Sequence, residues 1–303
     1  MFAYIIRRVL ATIPVMALVA LFVFSLLYLA PGDPAAIIAG DQATPADVER
    51  IRASLGLDRP FLVRFGDWAW HVLNGDLGTS IFTNLPVTHM IAQRVEPTLS
   101  LMALTLTLSI VLAVPMGVIA AWKHGTLIDR FVMLLAVFGF SVPVFVGGYL
   151  LAYEFGYTPI AQGIGPWLSN LILPSIALGG IFMALIARIT RATMLEVLSQ
   201  DYVRTARAKG VGQNGLLFVH ALKNAAVPII TIIGIGFASL IGGAVVTESV
   251  FAIPGIGRLV VDAILRRDYP VIQGVVLLFS FVYVLVNLGV DLLYTLFDPR
   301  IRY

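Results

Sequence analysis

The 303-residue sequence contains no cysteine, and only 12% of its residues are charged. Without cysteine there is neither a disulfide framework nor a thiolate metal site, so packing and hydrogen bonds alone must hold the connections. The shortage of charge says more. A soluble domain carries about a quarter of its residues as charges, whereas here 59% are apolar. That balance belongs to a chain dissolved in a bilayer. A G-x-x-x-x-G-K-[ST] sequence, the loop whose backbone amides cradle nucleotide phosphates, is also missing. ATP hydrolysis by that route is excluded. The histidines, His71, His89, His124 and His220, are too scattered for a catalytic or metal-binding cluster. No catalytic residue, metal site, bound cofactor or nucleic-acid partner is expected of this chain.

What is present is long apolar runs. A hydrocarbon core of ~30 Å takes roughly 20 apolar residues as a helix, because lipid offers no partner for exposed backbone amides. Six stretches approach that length: residues 9–30, 98–122, 131–153, 171–187, 225–247 and 271–290. The expectation is an all-α membrane protein of six transmembrane helices. Pro174 reads as lying in the first turn of the fourth, where its missing amide proton would be unpaired anyway. Pro14, Pro115 and Pro143 fall inside or near the ends of other spans and predict bends.

Lys and Arg accumulate in cytoplasmic connections. Arg7, Arg8, Lys123, Arg130, the cluster from Arg188 to Lys223, and Arg300 with Arg302 fall on one side of a six-span topology. That side is read as cytoplasmic, with both termini there. The opposite connections hold fewer positives, diluted by carboxylates such as Asp33, Asp47, Asp58, Asp67 and Asp76. The first apolar run reads as a retained signal anchor rather than a cleaved signal peptide, since no small-x-small site precedes Pro31-Gly32-Asp33-Pro34.

Three regions follow: an N-terminal segment with the first span (1–30), an outer segment (31–97), and a five-helix core (98–303) interrupted by a cytoplasmic loop at 188–224. In the outer segment Thr44-Pro45-Ala46-Asp47 has the form of a helix start, followed by Val48, Ile51 and Leu55 at helical spacing until Gly56. Phe61, Leu62, Phe65, Trp68, Trp70 and Val72 continue as a second amphipathic stretch. Two readings fit these aromatics: packing on the spans or at the lipid interface, and a docking surface or lid over a transport path.

Ionisable groups are nearly absent from the spans. An ion-coupled carrier needs a carboxylate or imidazole within the membrane. Asp291 is the main exception and lies close to the end of the last helix, where a pair with Arg300, an interfacial position and a proton relay are the readings open to it. Driving force therefore comes from a partner. The candidate dock is the basic stretch Asp201-Tyr202-Val203-Arg204-Thr205-Ala206-Arg207-Ala208-Lys209-Gly210. A short helix here sets Val203, Ala206 and Gly210 on one side and spreads Arg204, Arg207 and Lys209 over the remainder. Gly210-Val211-Gly212 breaks it, and a second short helix carrying Leu216, Leu217 and Val219 leads to Pro228. On physics alone, docking to a protein and anchoring to anionic lipid both fit the positives.

An ordered series of motifs adds to this. Tyr4-Ile5-Ile6-Arg7-Arg8, Pro31-Gly32-Asp33-Pro34, Leu55-Gly56-Leu57-Asp58, Gly75-Asp76-Leu77-Gly78, the basic stretch, His220-Ala221-Leu222-Lys223-Asn224-Ala225, Pro254-Gly255-Ile256-Gly257-Arg258, Arg267-Asp268-Tyr269-Pro270 and Asp298-Pro299-Arg300 occur in that order. The chain thereby resembles, over essentially its whole length, the inner-membrane permease subunit of bacterial binding-protein-dependent ABC importers, in the dipeptide, oligopeptide, nickel and glutathione branch. The resemblance implies a type I ABC importer architecture in the bacterial inner membrane. It also implies a second homologous permease subunit, two ATP-binding subunits or domains that bring ATP and Mg, and a periplasmic or extracellular substrate-binding protein. In that family the loop carries Glu-Ala-Ala-x-x-x-Gly followed by Ile-x-Leu-Pro. Here Arg204-Thr205-Ala206 stands for Glu-Ala-Ala, Gly210 matches, and His220-Ala221-Leu222-Lys223 replaces Ile-x-Leu-Pro. By resemblance, Asp201, Tyr202, Arg204, Thr205, Ala206, Arg207, Ala208, Lys209 and Gly210 form a coupling helix that seats in an ATPase subunit. The cargo so implied is a small peptide, with glutathione next and nickel less favoured.

Overall fold

A computed structural model describes residues 2–29, 33–39, 43–54, 56–157 and 164–297, and its regular elements are helical. In chain order they are α1 (Phe2–Leu29), α2 (Pro34–Ala39), α3 (Pro45–Ser54), α4 (Phe61–Leu73), α5 (Val87–Trp122), α6 (Leu127–Ser141), α7 (Val144–Glu154), α8 (Ile164–Leu198) and α9 (Asp201–Ala208). A π-helical turn over Gly215–Ala221 then precedes α10 (Leu222–Asn224), α11 (Ala226–Val250), α12 (Ile256–Arg266) and α13 (Tyr269–Phe297). Among the described residues, five helices are long and apolar enough to cross a membrane: Ile6–Leu29, Val87–Trp122, Asn170–Leu198, Ala226–Val250 and Tyr269–Leu292.

The sixth expected span, 131–153, is a broken one. Its halves α6 and α7 are bent by 101° at Val142-Pro143. A residue before proline is pushed out of the helical region by the pyrrolidine ring, and Val142 accordingly takes φ −86°, ψ 116°. Counting the pair as one span restores six. Pro174, by contrast, does not begin the fourth span. The helix is already running from Ile164, and Pro174 lies in its interior; interior proline is tolerated in spanning helices where neighbouring groups re-satisfy the freed carbonyl.

The described chain divides into two compact units. The larger, Glu96–Arg258 with both chain ends, contains most of α5, all of α6 to α11, and the last part of α13. Here α8 is central and its neighbours approach at glycines. A Cβ on Gly139 of α6 would lie 2.9 Å from the Gly180 carbonyl oxygen of α8, and one on Gly117 of α5 would lie 2.6 Å from Thr190 Cβ. Such closeness needs a bare Cα, the usual device for packing helices where lipid supplies no hydrophobic drive.

The smaller unit, Ile6–Val95 with Leu259–Val284, contains α2, α3 and α4. Phe24 of α1 is buried under α4, with ring centroids 5.4, 5.6 and 5.3 Å from those of Phe61, Phe65 and Trp68. The inward face of α4 is thus the aromatic series that the sequence spacing predicts, minus Leu62 and Trp70, which are 76% and 67% exposed. Arg64 lies over the Phe24 and Tyr28 rings and bonds the Tyr28 hydroxyl. Ahead of it, α3 starts as expected: Asp47 N–H donates to Thr44 Oγ1 at 3.3 Å while Thr44 N–H and Oγ1 donate back to Asp47 Oδ2 at 3.1 and 2.6 Å. That reciprocal pair satisfies donors which a helix leaves unpaired at its start. Gly56, at φ +60°, ends the helix; Leu55 lies outside the described residues.

Candidate functional site

The basic stretch folds as the two-turn helix α9. Only Val203 of it is buried, at 1% exposure, and Ala206 is half-buried. Asp201, Tyr202, Arg204, Thr205, Arg207, Ala208, Lys209 and Gly210 are all exposed. The helix stops by a Schellman arrangement: Gly210 N–H donates to the Arg207 carbonyl at 3.0 Å and Val211 N–H to the Ala206 carbonyl at 3.2 Å. This stop requires a left-handed residue, and Gly210 supplies it at φ +83°. Gly210 is therefore exposed at the helix end rather than on the Val203 face. Local interactions are weak: Arg204 Nη1 and Asp201 Oδ1 are 3.6 Å apart, with both side chains mostly in solvent. Partial burial pushes the Tyr202 phenol above its ordinary value, and a hydrogen bond with Asn224 pulls it the other way.

A buried core forms around the segment that follows this helix. Val118 and Ala121 at the end of α5, Met194 near the end of α8, Leu217 and Ala221 in the π-helical turn, and Ala225 with Ile229 at the start of α11 form one buried cluster. Leu216 and Leu217 face inward as the spacing predicts, but Val219 is 61% exposed. A π-helical turn adds a residue per turn, and this rotates Val219 off the buried face. Three long helices thus converge on the π-helical turn that follows α9.

Two buried polar nodes in the same unit escape sequence reasoning. In the first, Asp129 in the first turn of α6 has a side chain 4% exposed and takes a two-pronged bond from Arg191 of α8, Nε to Oδ1 at 2.5 Å and Nη2 to Oδ2 at 2.8 Å. Gly125 N–H adds a bond at 3.0 Å, and His124 Nδ1 lies 3.2 Å from Oδ2. The node ties the turn between α5 and α6 to α8 one helical stretch before α9 begins. Its sequence signal is Thr126-Leu127-Ile128-Asp129, a helix-start pattern, set against an arginine at the end of an apolar run.

The second node is Glu248, fully buried in the last turn of α11. Its Oε1 accepts from Thr98 Oγ1 at 2.6 Å and its Oε2 from Arg258 N–H at 3.0 Å, while Ile256 N–H donates to Thr98 Oγ1 at 2.8 Å. The glycines of Pro254-Gly255-Ile256-Gly257 give this carboxylate its room, since a Cβ on either would collide with it. The node secures the approach to α12. The pattern Glu-x6-Gly-x-Gly was the available clue in the sequence.

None of these groupings is a nucleophile with its base. What they provide is a packed scaffold beside the exposed basic helix α9. The whole chain has known relatives. Residues 113–303 match the family described as binding-protein-dependent transport system inner membrane component, and residues 1–102 match its N-terminal region. A probable peptide ABC transporter permease protein of Sinorhizobium fredii is 56% identical over 99% of both chains. A glutathione transport system permease protein of Pectobacterium atrosepticum is 44% identical, and a dipeptide transport system permease protein of Alkalihalophilus pseudofirmus 40% identical, each over 100% of both chains. Among solved structures, a chain of the MetNI methionine ABC transporter superposes with a TM-score of 0.59 at 18% identity, covering 69% of this chain and 96% of that one. Over the part so covered, the fold is that of a known transporter chain.

Proposed function

The chain belongs to the family of binding-protein-dependent transport system inner membrane components, and from that premise we propose that it is a permease subunit of an ATP-driven importer of small peptides. It is a multi-pass inner-membrane protein. Its relatives are named for peptide, dipeptide and glutathione transport, and glutathione is itself a tripeptide, so the three named cargos share amide groups and free carboxylates. The partners in this reading are a second homologous permease, two ATP-binding subunits or domains that bring ATP and Mg, and a substrate-binding protein on the outer side. Both termini face the cytoplasm, and the outer segment 31–97 with the connection 248–273 receives the binding protein.

The observation that carries the reading is α9: a basic helix whose polar residues are exposed and whose Val203 is buried, followed by a π-helical turn that sits where α5, α8 and α11 converge. A helix so mounted moves with its bundle. ATP binding would draw two nucleotide-binding subunits together, and the coupling helices would rock their bundles between inward-open and outward-open states. A loaded binding protein biases the cycle only by contacting one state better than the other.

Purification from the native host in mild detergent, followed by mass spectrometry of what stays bound, tests this. The wild-type chain is expected to retain a second permease and ATPase subunits. An Arg207→Glu, Lys209→Glu chain is expected to keep the permease and lose the ATPases. A chain that purifies alone and transports on an ion gradient without ATP would refute the reading.

A further inference from the structure

The smaller unit holds a cleft of about 630 Å³, a size within the roughly 300–1,000 Å³ of small-molecule sites. Its buried and half-buried lining is mostly apolar: Phe24 and Leu27 near the end of α1, Trp68 of α4 and Pro270 in the first turn of α13. Its exposed lining is charged, with Asp58 and Arg59 ahead of α4 and Asp67 on it. Two motifs of the ordered series, Leu55-Gly56-Leu57-Asp58 and Arg267-Asp268-Tyr269-Pro270, meet here through Gly56, Asp58 and Pro270.

Polar groups in this cleft are under-used by the protein itself. Gln273 lines it at 7% exposure, yet its amide reaches the Val23 and Phe24 carbonyls only at 3.5 Å, the outer limit for such a bond. Its carbonyl oxygen has no partner among the described residues. Leaving a buried amide under-bonded is costly, so a polar ligand atom beside it is favoured. The Asp58 carboxylate likewise makes no hydrogen bond or ion pair among the described residues. Arg59 and Asp67 pair at 2.9 Å, but both side chains are more than half exposed. Such a pair is worth about 1 kcal/mol at most, so a ligand can recruit either charge. Asp58 and Asp67 balance Arg59 and Arg64, which suits a guest carrying both signs. The position of the cleft completes the picture. Its walls include the ends of two spanning helices, and on the other face of α4 Leu62, Trp70 and Leu73 are exposed. An apolar face with a tryptophan, joined to span ends, belongs at the membrane–water boundary.

We propose that this cleft binds one phospholipid with a zwitterionic head group of the ethanolamine type. The head-group ammonium donates to the Asp58 and Asp67 carboxylates, and the phosphate takes the planar fork of Arg59, which matches phosphate oxygens two at a time. Deeper, Gln273 donates to an ester carbonyl, and the acyl chain lies along Phe24 and Leu27. A trimethylated ammonium has no N–H for the carboxylates, and an anionic lipid would leave both of them without a cation. The bound lipid ties the turn before α4 to the ends of α1 and α13, so the head-group composition of the membrane bears on the smaller unit. The proposal depends on the spans and not on the cargo or the direction of insertion, and so goes beyond the importer reading.

Native mass spectrometry tests this on the full chain, purified in mild detergent and offered equal amounts of phosphatidylethanolamine and phosphatidylglycerol with the same acyl chains. One phosphatidylethanolamine per chain is expected to be retained, about tenfold over phosphatidylglycerol. Asp58→Lys, at an exposed position with no partner to lose, should leave lipid-free thermal unfolding unchanged and lower that ratio about tenfold, since a cation there repels the ammonium. Gln273→Leu should lower phosphatidylethanolamine retention about threefold; if that chain does not purify, Asp58→Lys carries the test alone. Equal retention of the two lipids overturns the proposal, and so does an ethanolamine preference that survives Asp58→Lys, because lipid that merely coats the spans behaves in those ways. Trialanine, also a zwitterion, is added at the lipid concentration in a further arm. Unchanged lipid retention is expected, and displacement by trialanine would overturn the lipid as occupant in favour of a peptide.

Discussion

Replacing Asp129 with alanine removes the acceptor for three structural partners at once. The Arg191 guanidinium loses both prongs of its bond, and the Gly125 amide and His124 lose theirs. Removing one partner of a buried ion pair typically costs about 3–5 kcal/mol, because the other charge stays behind without compensation. Arg191 retains 22% exposure, so water recovers part of that loss, and roughly 2–3 kcal/mol is the expected penalty. Asp129→Asn keeps the volume and one acceptor and should lose about half as much. The assay is reversible unfolding in mixed detergent micelles followed by circular dichroism, run as a cycle with Arg191→Ala and the double variant. If the two side chains act as a pair, the double variant is less damaged than the sum of the singles by about 1.5 kcal/mol or more. Additivity within ~0.5 kcal/mol would refute the reasoning, since that is the signature of independent sites. In the assembled transporter the same break frees the α5–α6 turn from α8, so ATP consumed per peptide moved should rise even where the complex still forms.

Further outcomes follow from the same geometry. Gly257→Ala places a Cβ 2.5 Å from Val245 Cα and against Glu248, and since backbone cannot yield as a side chain does, a loss of about 2 kcal/mol or more is expected in the same unfolding assay. Gly212→Ala, with nothing within 4 Å, should be silent. Gly210→Ala forces a side chain to φ +83° and should destabilise the α9 stop by about 1 kcal/mol, seen as weaker retention of ATPase subunits. Thr98→Val strips Glu248 Oε1 of a donor and Ile256 N–H of an acceptor, for an expected loss of about 1–3 kcal/mol. The Thr44 hydroxyl and amide hold the Asp47 carboxyl below its ordinary 3.8; its support of α3 is thus present above that value and disappears as pH falls through the lowered one. Carbon-13 titration should show the depressed value, and Thr44→Ala should return it toward 3.8.

The spans, the exposed basic helix and the α3 start were legible because each rests on local chemistry: apolar run length, charge against an apolar background, and a side chain bonding its own backbone. Gly210 as a helix stop is of the same kind. What was hidden is non-local. Nothing local marks Asp129 and Arg191 as neighbours, because 62 residues separate them and an arginine at a span's end is ordinary. Thr98 and Glu248, 150 residues apart, are likewise united only by tertiary packing. The break at Val142-Pro143 was half legible: proline marked the place, but a kinked helix and a 101° turn share the same local sequence, and the packing of α7 against α8 and α11 decides between them. Pro174 misled for a related reason, as proline in water usually opens a helix whereas in a bundle it is often carried inside one.

The source of energy can be argued from the buried carboxylates. Among the described residues these are Asp129, Glu248 and Asp268. A residue that ferries a proton must offer an oxygen to it on alternate sides of the membrane, and here every such oxygen already accepts from a fixed donor. Arg191 holds both oxygens of Asp129. Thr98 and Arg258 N–H hold those of Glu248, and Ser80 Oγ and Ile81 N–H hold those of Asp268, at 2.5 and 3.2 Å. These carboxylates are fasteners between helices and connections. Uptake into vesicles should therefore persist when an uncoupler collapses the proton gradient at constant ATP, and Glu248→Gln should shift stability without moving the pH profile of uptake. Uptake that stops with the uncoupler while ATP is held constant would turn the argument toward an ion-coupled carrier.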